Sequence, residues 1–354
     1  MTIAADTRTF TGSASLLLPY LLLLAESHPT EQFIFFSVKQ PTDIVPYPEN
    51  VRQITVDAHP TNPVRFRFWY NYQLPSLLKK YNADLFIGDG YLSLRSRITQ
   101  FIFFQNHQHL HSKKKLQSFF EKATAIFVNT AISKNELQEK YSVSSHKIDI
   151  ILPFYDSTSG KADWKIKQAT KAKYTEEKEY FFFSGNTGEH AVLINLLKAF
   201  SYFKKWQQSN MMLIIAPSNE AADGEFLKAL ETYKYRNEVK LVVTNDPEEK
   251  MTIIASAYAV VDTSVQPNYT SILNAMQCEV PVIIAKTAAT QELFADSVLY
   301  ATDQFEDIGR QLIMAFKDET RTAQLTTMAK KDLQRFEPLQ TVQKLWQRIV
   351  RTTG

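Results

Sequence analysis

The sequence almost lacks cysteine. Cys278 is the only one in 354 residues, which excludes an intrachain disulfide and a Cys-ligated metal cluster and suits a reducing cytosol. It reads as a small buried hydrophobe rather than a reactive thiol. A charge excess is also missing. Forty Lys and Arg stand against 37 Asp and Glu, a net +3, too little to argue for a nucleic-acid partner. There is no low-complexity segment and no short-period repeat. The apolar run from Leu16 to Leu24 is too short to span a bilayer. It has neither the cationic start nor the small-residue cleavage site of a signal peptide. It reads as a buried first helix behind a strand-like start, Thr2-Ile3-Ala4-Ala5.

The composition, 44% hydrophobic and 22% charged, is that of a globular chain long enough for two domains. Apolar runs of strand length alternate with helical patterns. In the first half the strand candidates are Gln32–Val38, Val51–Val56, Ala83–Gly88, Thr99–Gln105, Ala123–Asn129 and Lys147–Leu152, with helical stretches such as Phe66–Tyr81, Leu116–Glu121 and Lys134–Tyr141 between them. This alternation predicts βαβ units and a parallel sheet. From Pro153 to Lys178 the pattern lapses through Ser157-Thr158-Ser159-Gly160 and a charged stretch, as a linker would. It resumes with Tyr180-Phe181-Phe182-Phe183, apolar enough to be buried on both faces. Further strands are expected at Met211–Ala216, Val239–Val243, Ala259–Val261, Val280–Ala285 and Val298–Tyr300. The last fifty or so residues read as helix, with Pro338 starting a final helix that holds Trp346. The expected fold class is therefore α/β, with two doubly wound parallel-sheet domains in tandem facing a cleft. The expected division is 1–155, a linker at 156–178, a second domain at 179–336, and a last helix at 337–354 crossing back to the first.

Three stretches narrow the family. They are Ser184-Gly185 with Leu193-Ile194-Asn195-Leu196-Leu197-Lys198-Ala199-Phe200, then Ile272-Leu273-Asn274-Ala275-Met276-Gln277-Cys278-Glu279-Val280-Pro281-Val282-Ile283, then Gln291-Glu292-Leu293 with Asp296-Ser297-Val298-Leu299-Tyr300. Together they resemble the donor domain of the GT-B glycosyltransferases of family 4. The resemblance implies transfer of a hexose from a nucleotide-sugar to a glycan or lipid acceptor, with retention and with neither metal nor cofactor. It also implies a cytoplasmic protein, with room for peripheral contact at the inner membrane surface and for a partner glycosyltransferase.

By the same resemblance the donor site is formed by Gly185, Asn186, His190, Tyr269, Thr270, Ser271, Asn274 and Glu292, with Gln266, Gln105 and Asn106 at the reacting centre. Several of these depart from the family pattern. The family's Glu-x7-Glu frame reads Gln266 to Asn274 here, with the spacing kept and both carboxylates replaced by amides. A neutral amide holds a ribose hydroxyl more weakly than a carboxylate does. The positions that carry an Arg and a Lys in the family fall on His190 and Ala191, so the cations facing a diphosphate are missing. The His-Asp pair of the first domain reads Gln105-Asn106. The alternative implied by these losses is a catalytically inactive paralogue that binds a glycan, a nucleotide or a partner enzyme.

Other features have plainer readings. His107, His109 and His111 read as a polar loop, with a cleft-facing role for His107 or His109 as the alternative; no carboxylate lies near them to complete a metal site. Lys113-Lys114-Lys115 is a solvated face, or a basic surface facing lipid. Phe66, Phe68, Trp69, Tyr70 and Tyr72 read as core and helix packing. Glu292 fits either the donor site or a favourable first-turn position at a helix N-terminus.

Overall fold

The computed structural model describes residues 1–8, 17–38, 47–57, 62–104, 113–156, 160–185, 190–216, 224–244, 246–264 and 267–353. The chain divides into two compact units. One is Met1–Leu152 together with Leu339–Gly354, the other Pro153–Pro338.

The first unit is built on a seven-stranded sheet, β3-β2-β1-β4-β5-β6-β7. Its strands are β1 (Thr2–Asp6), β2 (Gln32–Ser37), β3 (Val51–Thr55), β4 (Leu85–Asp89), β5 (Thr99–Phe103), β6 (Ala125–Val128) and β7 (Ile148–Ile150), and every pairing is parallel. The central strands are mostly apolar and buried, as strands of a parallel sheet covered on both faces are. The first helix, Leu17–Ser27, buries Leu17, Tyr20, Leu21, Leu24 and Ala25, so the N-terminal leucine run is core, as expected.

The helical stretch expected over 66–81 is broken into three pieces. Pro63–Phe68 is followed by a π-helical turn at Trp69–Gln73, and α-helix resumes at Leu74–Lys80. Pro75 stands near the start of the last piece and has no N–H to donate back, so the ladder widens just before it; the Leu74 N–H bonds the Trp69 carbonyl instead. The aromatic cluster splits as a result. Phe66, Trp69 and Tyr70 are buried, while Phe68 and Tyr72 are 53% and 50% exposed, so the packing expected of the last two is not seen. They stack on each other at 5.5 Å, and the Arg95 guanidinium lies 4.3 Å from the centre of the Tyr72 ring.

The second unit has a six-stranded parallel sheet, β10-β9-β8-β11-β12-β13. The strands are β8 (Tyr180–Phe183), β9 (Met212–Ile215), β10 (Val239–Leu241), β11 (Ala259–Asp262), β12 (Val282–Ala285) and β13 (Leu299–Ala301). Residues 156–178, read from sequence as a linker, hold a twelve-residue helix, Trp164–Thr175, capped by Asp163. This helix packs on Pro247–Ser256, where Lys173 and Tyr174 both bond Glu249. Its polar, weakly amphipathic sequence hides it, because it lies on the outside of the unit and buries only Thr170, Lys171 and Thr175. Cys278 is buried. Its thiol, pushed up to about 11 by burial, bonds the Gly160 carbonyl at 3.2 Å.

The last helix, Pro338–Thr353, returns to the first unit. Val342, Leu345 and Ile349 are buried there. Trp346 stacks on His28 at 3.8 Å, and Arg348 bonds the His146 carbonyl at 2.9 Å and pairs with Asp149 at 3.1 Å. Among the described residues no helix is long and apolar enough to cross a membrane.

Candidate functional site

In the second unit the strand order reverses between β8 and β11. The chain winds outward from β8 on one side and from β11 on the other, which leaves a crevice at their carboxyl ends. The residues that follow these two strands are packed against each other. Gly185 comes just after β8. A Cβ built on it would lie 2.3 Å from Ser264 Oγ and 2.5 Å from Asp262 Oδ1, so a glycine is required for the two turns to touch.

Asp262 ends β11 and is fully buried. Its carboxylate accepts the Ser264 N–H at 3.1 Å and the Asn268 N–H at 2.7 Å. Asn268 in turn caps the helix Tyr269–Gln277 by accepting the Ser271 N–H at 3.2 Å. One buried carboxylate thus holds both Ser264 and Asn268.

Three of the expected donor residues open that helix. Tyr269 and Thr270 are half-buried and Ser271 is buried. The Tyr269 hydroxyl is pushed up to about 12, first by burial and then by the charges of Asp262 and Glu292, so it stays protonated and able to donate. Glu292 is half-buried in the helix Ala288–Phe294. It sits beyond the first turn, whose cap is the reciprocal Thr287–Thr290 pair, so the helix-start reading of Glu292 fails. Its charge reaches Tyr269 instead.

Asn274 faces inward. It is 6% exposed, its carbonyl accepts the Asp156 N–H at 2.8 Å, and its amide N–H points at Met251 Sδ, 3.1 Å away. The position where the family holds a ribose here fastens the chain entering the second unit. His190 is the first residue of the helix His190–Gln207, with Nε2 3.9 Å from the Glu225 carboxylate and the side chain 38% exposed. Gln105, Asn106, Asn186 and Gln266 lie outside the described residues, as do His107, His109 and His111. Among the described residues no three His, Cys, Asp or Glu side chains gather as metal ligands would.

Three features at the crevice escape the sequence reading. One is the Asp262 anchor, whose sole sequence signal is a carboxylate ending the apolar run Ala259-Val260-Val261. The others are the hydroxyls of Ser184 and Thr263, both buried and without a hydrogen-bond partner. A lone Ser or Thr after a strand carries no signal in sequence.

A family profile described as "Glycosyl transferases group 1" matches residues 165–332, nearly all of the unit that contains this crevice. Over those residues the second unit resembles a group 1 glycosyl transferase domain. Solved structures extend the likeness to the whole chain. HepE of Anabaena, solved with UDP and glucose, is 14% identical at a TM-score of 0.77, covering 99% of this chain and 100% of that one. Sucrose-phosphate synthase of Thermosynechococcus elongatus is 14% identical at a TM-score of 0.77, covering 99% of each chain. WaaG, a glycosyltransferase involved in lipopolysaccharide biosynthesis, is 13% identical at 0.74, covering 98% of each. At these identities the likeness is one of fold, the GT-B class of two parallel-sheet Rossmann-like units. No curated protein matches the sequence.

Proposed function

We propose that the chain is a nucleotide-sugar glycosyltransferase of group 1, with the donor held at the β8–β11 crevice of the second unit. The observation that carries this reading is the coincidence of the family match over 165–332 with the touching turns at Gly185 and Asp262–Asn268. HepE, which is bound to UDP-glucose in a further structure, supports a nucleotide-sugar as donor. The reading carries the family's retention of configuration, needs no metal or cofactor, and takes a glycan or lipid as acceptor. Peripheral contact with a membrane is supported on the first unit by exposed Phe68, Tyr72 and Leu94 beside Arg95.

The donor is held weakly in this reading. With amides in the Gln266–Asn274 frame and no Arg or Lys at His190-Ala191, charge assistance to ribose and diphosphate is lost, on the order of a hundredfold in affinity. Titration calorimetry of the full chain with a panel of nucleoside diphosphates and nucleotide-sugars is the test. Weak, measurable binding together with donor hydrolysis is expected. Low-micromolar affinity overturns the weak-site reading, and no binding at all overturns the nucleotide-sugar reading.

The second reading, an inactive paralogue that binds a glycan, a nucleotide or a partner enzyme, is favoured by Asn274. Its carbonyl accepts the Asp156 N–H, which supports a structural role for this amide. Restoring charge therefore belongs at Gln266→Glu with Ala191→Lys, leaving Asn274 in place. Wild-type turnover that falls in this double variant counts against the paralogue. A silent wild type that binds nucleotide more tightly once altered counts against the enzyme.

A further inference from the structure

The chain is nearly neutral as a whole, yet its charge is unevenly spread. Residues 58–83 and 90–120 together hold nine Lys and Arg and no Asp or Glu. The fold brings these two stretches together. Lys115 Nζ lies 4.5 Å from the centre of the Phe66 ring, the Arg95 guanidinium lies 4.3 Å from that of Tyr72, and Tyr91 packs edge-on against Phe66 at 5.1 Å. The Lys115 amine is pushed down by burial and then by the charge of Arg67, so like charges are held close on this face. The two carboxylates between the stretches are engaged elsewhere. Asp84 accepts the Thr2 N–H at 2.7 Å, and Asp89 acts on the buried Tyr91.

Apolar side chains stand among these cations. Val64 and Leu94 are 76% and 41% exposed, and the π-helical turn adds Phe68 and Tyr72 by rotating them off the core. Arg65, Arg67, Arg95 and Arg97 are exposed beside them. Exposed apolar groups gathered in one place mark an interaction site. A partner that meets only the charge leaves the rings in water, and one that meets only the rings leaves the like charges uncompensated. A membrane interface with anionic headgroups takes both. Aromatic rings rest at headgroup level, and guanidinium groups pair with phosphate through two N–H donors.

We infer that this face of the first unit, centred on Arg67, Phe68, Tyr72 and Arg95, docks on an anionic phospholipid surface. This rests on the membrane contact of the functional reading above and adds the lipid charge it recognises and the residues that recognise it. It does not depend on the donor crevice, because docking is measured without nucleotide.

The test is co-sedimentation of the full chain with vesicles of phosphatidylcholine alone and of phosphatidylcholine mixed with phosphatidylglycerol. Three double variants accompany the wild type: Arg67→Ser with Arg95→Ser, Phe68→Ser with Tyr72→Ser, and, as a control on the second unit, Lys330→Ser with Lys331→Ser. All six side chains are exposed, so the melting temperatures stay near that of the wild type. The wild type is expected to bind the mixed vesicles, to ignore the neutral ones, and to come off as salt rises. Each first-unit variant lowers binding about tenfold, and the control changes it less than about twofold.

A wild type that stays in solution with the mixed vesicles, or binds the neutral ones as tightly, overturns the inference. So does a control pair that weakens binding as much as the arginine pair, because the attraction is then one of total charge. Binding lost with the arginines but kept without the rings marks a surface for a soluble acidic partner and overturns the lipid assignment. Calorimetry with UDP reads the donor crevice separately. A protein that binds the mixed vesicles and no UDP keeps this inference and loses the nucleotide-sugar reading.

Discussion

At the scale of single residues, the crevice is held together by groups whose replacement has calculable consequences. Gly185→Ala forces a methyl into contact with Ser264 Oγ and the Asp262 carboxylate at 2.3 and 2.5 Å. It is expected to destabilise the protein by about 1–3 kcal/mol, as overpacking does, measured by the denaturant midpoint. An unchanged midpoint means the two turns do not touch in solution. Asn274→Ala leaves the Asp156 N–H without its acceptor and is expected to cost about 1–3 kcal/mol of stability. If the variant instead keeps wild-type stability and loses nucleotide affinity, Asn274 has retained the ribose role. The two positions differ in how legible they are. Gly185 stands out in sequence because it follows a four-residue apolar run. Asn274 is legible in sequence only through the spacing of the family frame, and its bond from the Asp156 N–H is set by the fold.

At the scale of elements, the helix Trp164–Thr175 stands outside any pattern that a linear reading detects, and its attachment to Pro247–Ser256 is partly electrostatic. Glu249 is lowered to about 2, first by the hydrogen bond from Lys173, then by Thr244 and Tyr174. A carboxylate whose folded value lies below its ordinary 4.5 contributes stability at neutral pH, and that contribution is lost as pH falls from about 4.5 toward 2. Glu249→Gln is therefore expected to lower the melting temperature at pH 7 and to flatten its decline across that acid window, the two proteins converging near pH 2. Parallel melting curves over the whole window would mean that the contact contributes nothing. The effect is small, because the Lys173 side chain is 61% exposed and water screens the pair. The π-helical turn at Trp69–Gln73 teaches a similar lesson. The helical period was readable over 66–81, but the widened turn ahead of Pro75 rotates Phe68 and Tyr72 out of the core.

At the scale of the whole molecule, the last helix belongs to the unit that begins the chain. Val342, Leu345 and Ile349 are buried in the first unit, and each such side chain contributes about 1.5–3 kcal/mol by burial. Truncation after Pro338 is expected to destabilise the first unit selectively. Hydrogen exchange should rise in β1 and β7 while β8 and β11 stay protected. Uniform exchange in both units would contradict the assignment of the helix. Leu345→Ala, a milder form of the same test, is expected to cost about 2–5 kcal/mol.

The sequence by itself determined the two sheets, the burial of the leucine run and the resemblance of residues 165–332 to group 1 glycosyl transferases. All of these rest on periodicity, local turn chemistry or matched segments, which are written along the chain. Only the tertiary structure decided that a buried carboxylate, Asp262, holds the Ser264 and Asn268 N–H groups, that Asn274 is tied to Asp156, 118 residues earlier in the chain, and that the Ser184 and Thr263 hydroxyls are left without partners. Each of these is set by which groups meet once the strands are side by side. Hydrogen-bond satisfaction is a property of that meeting, and no local pattern of residues encodes it.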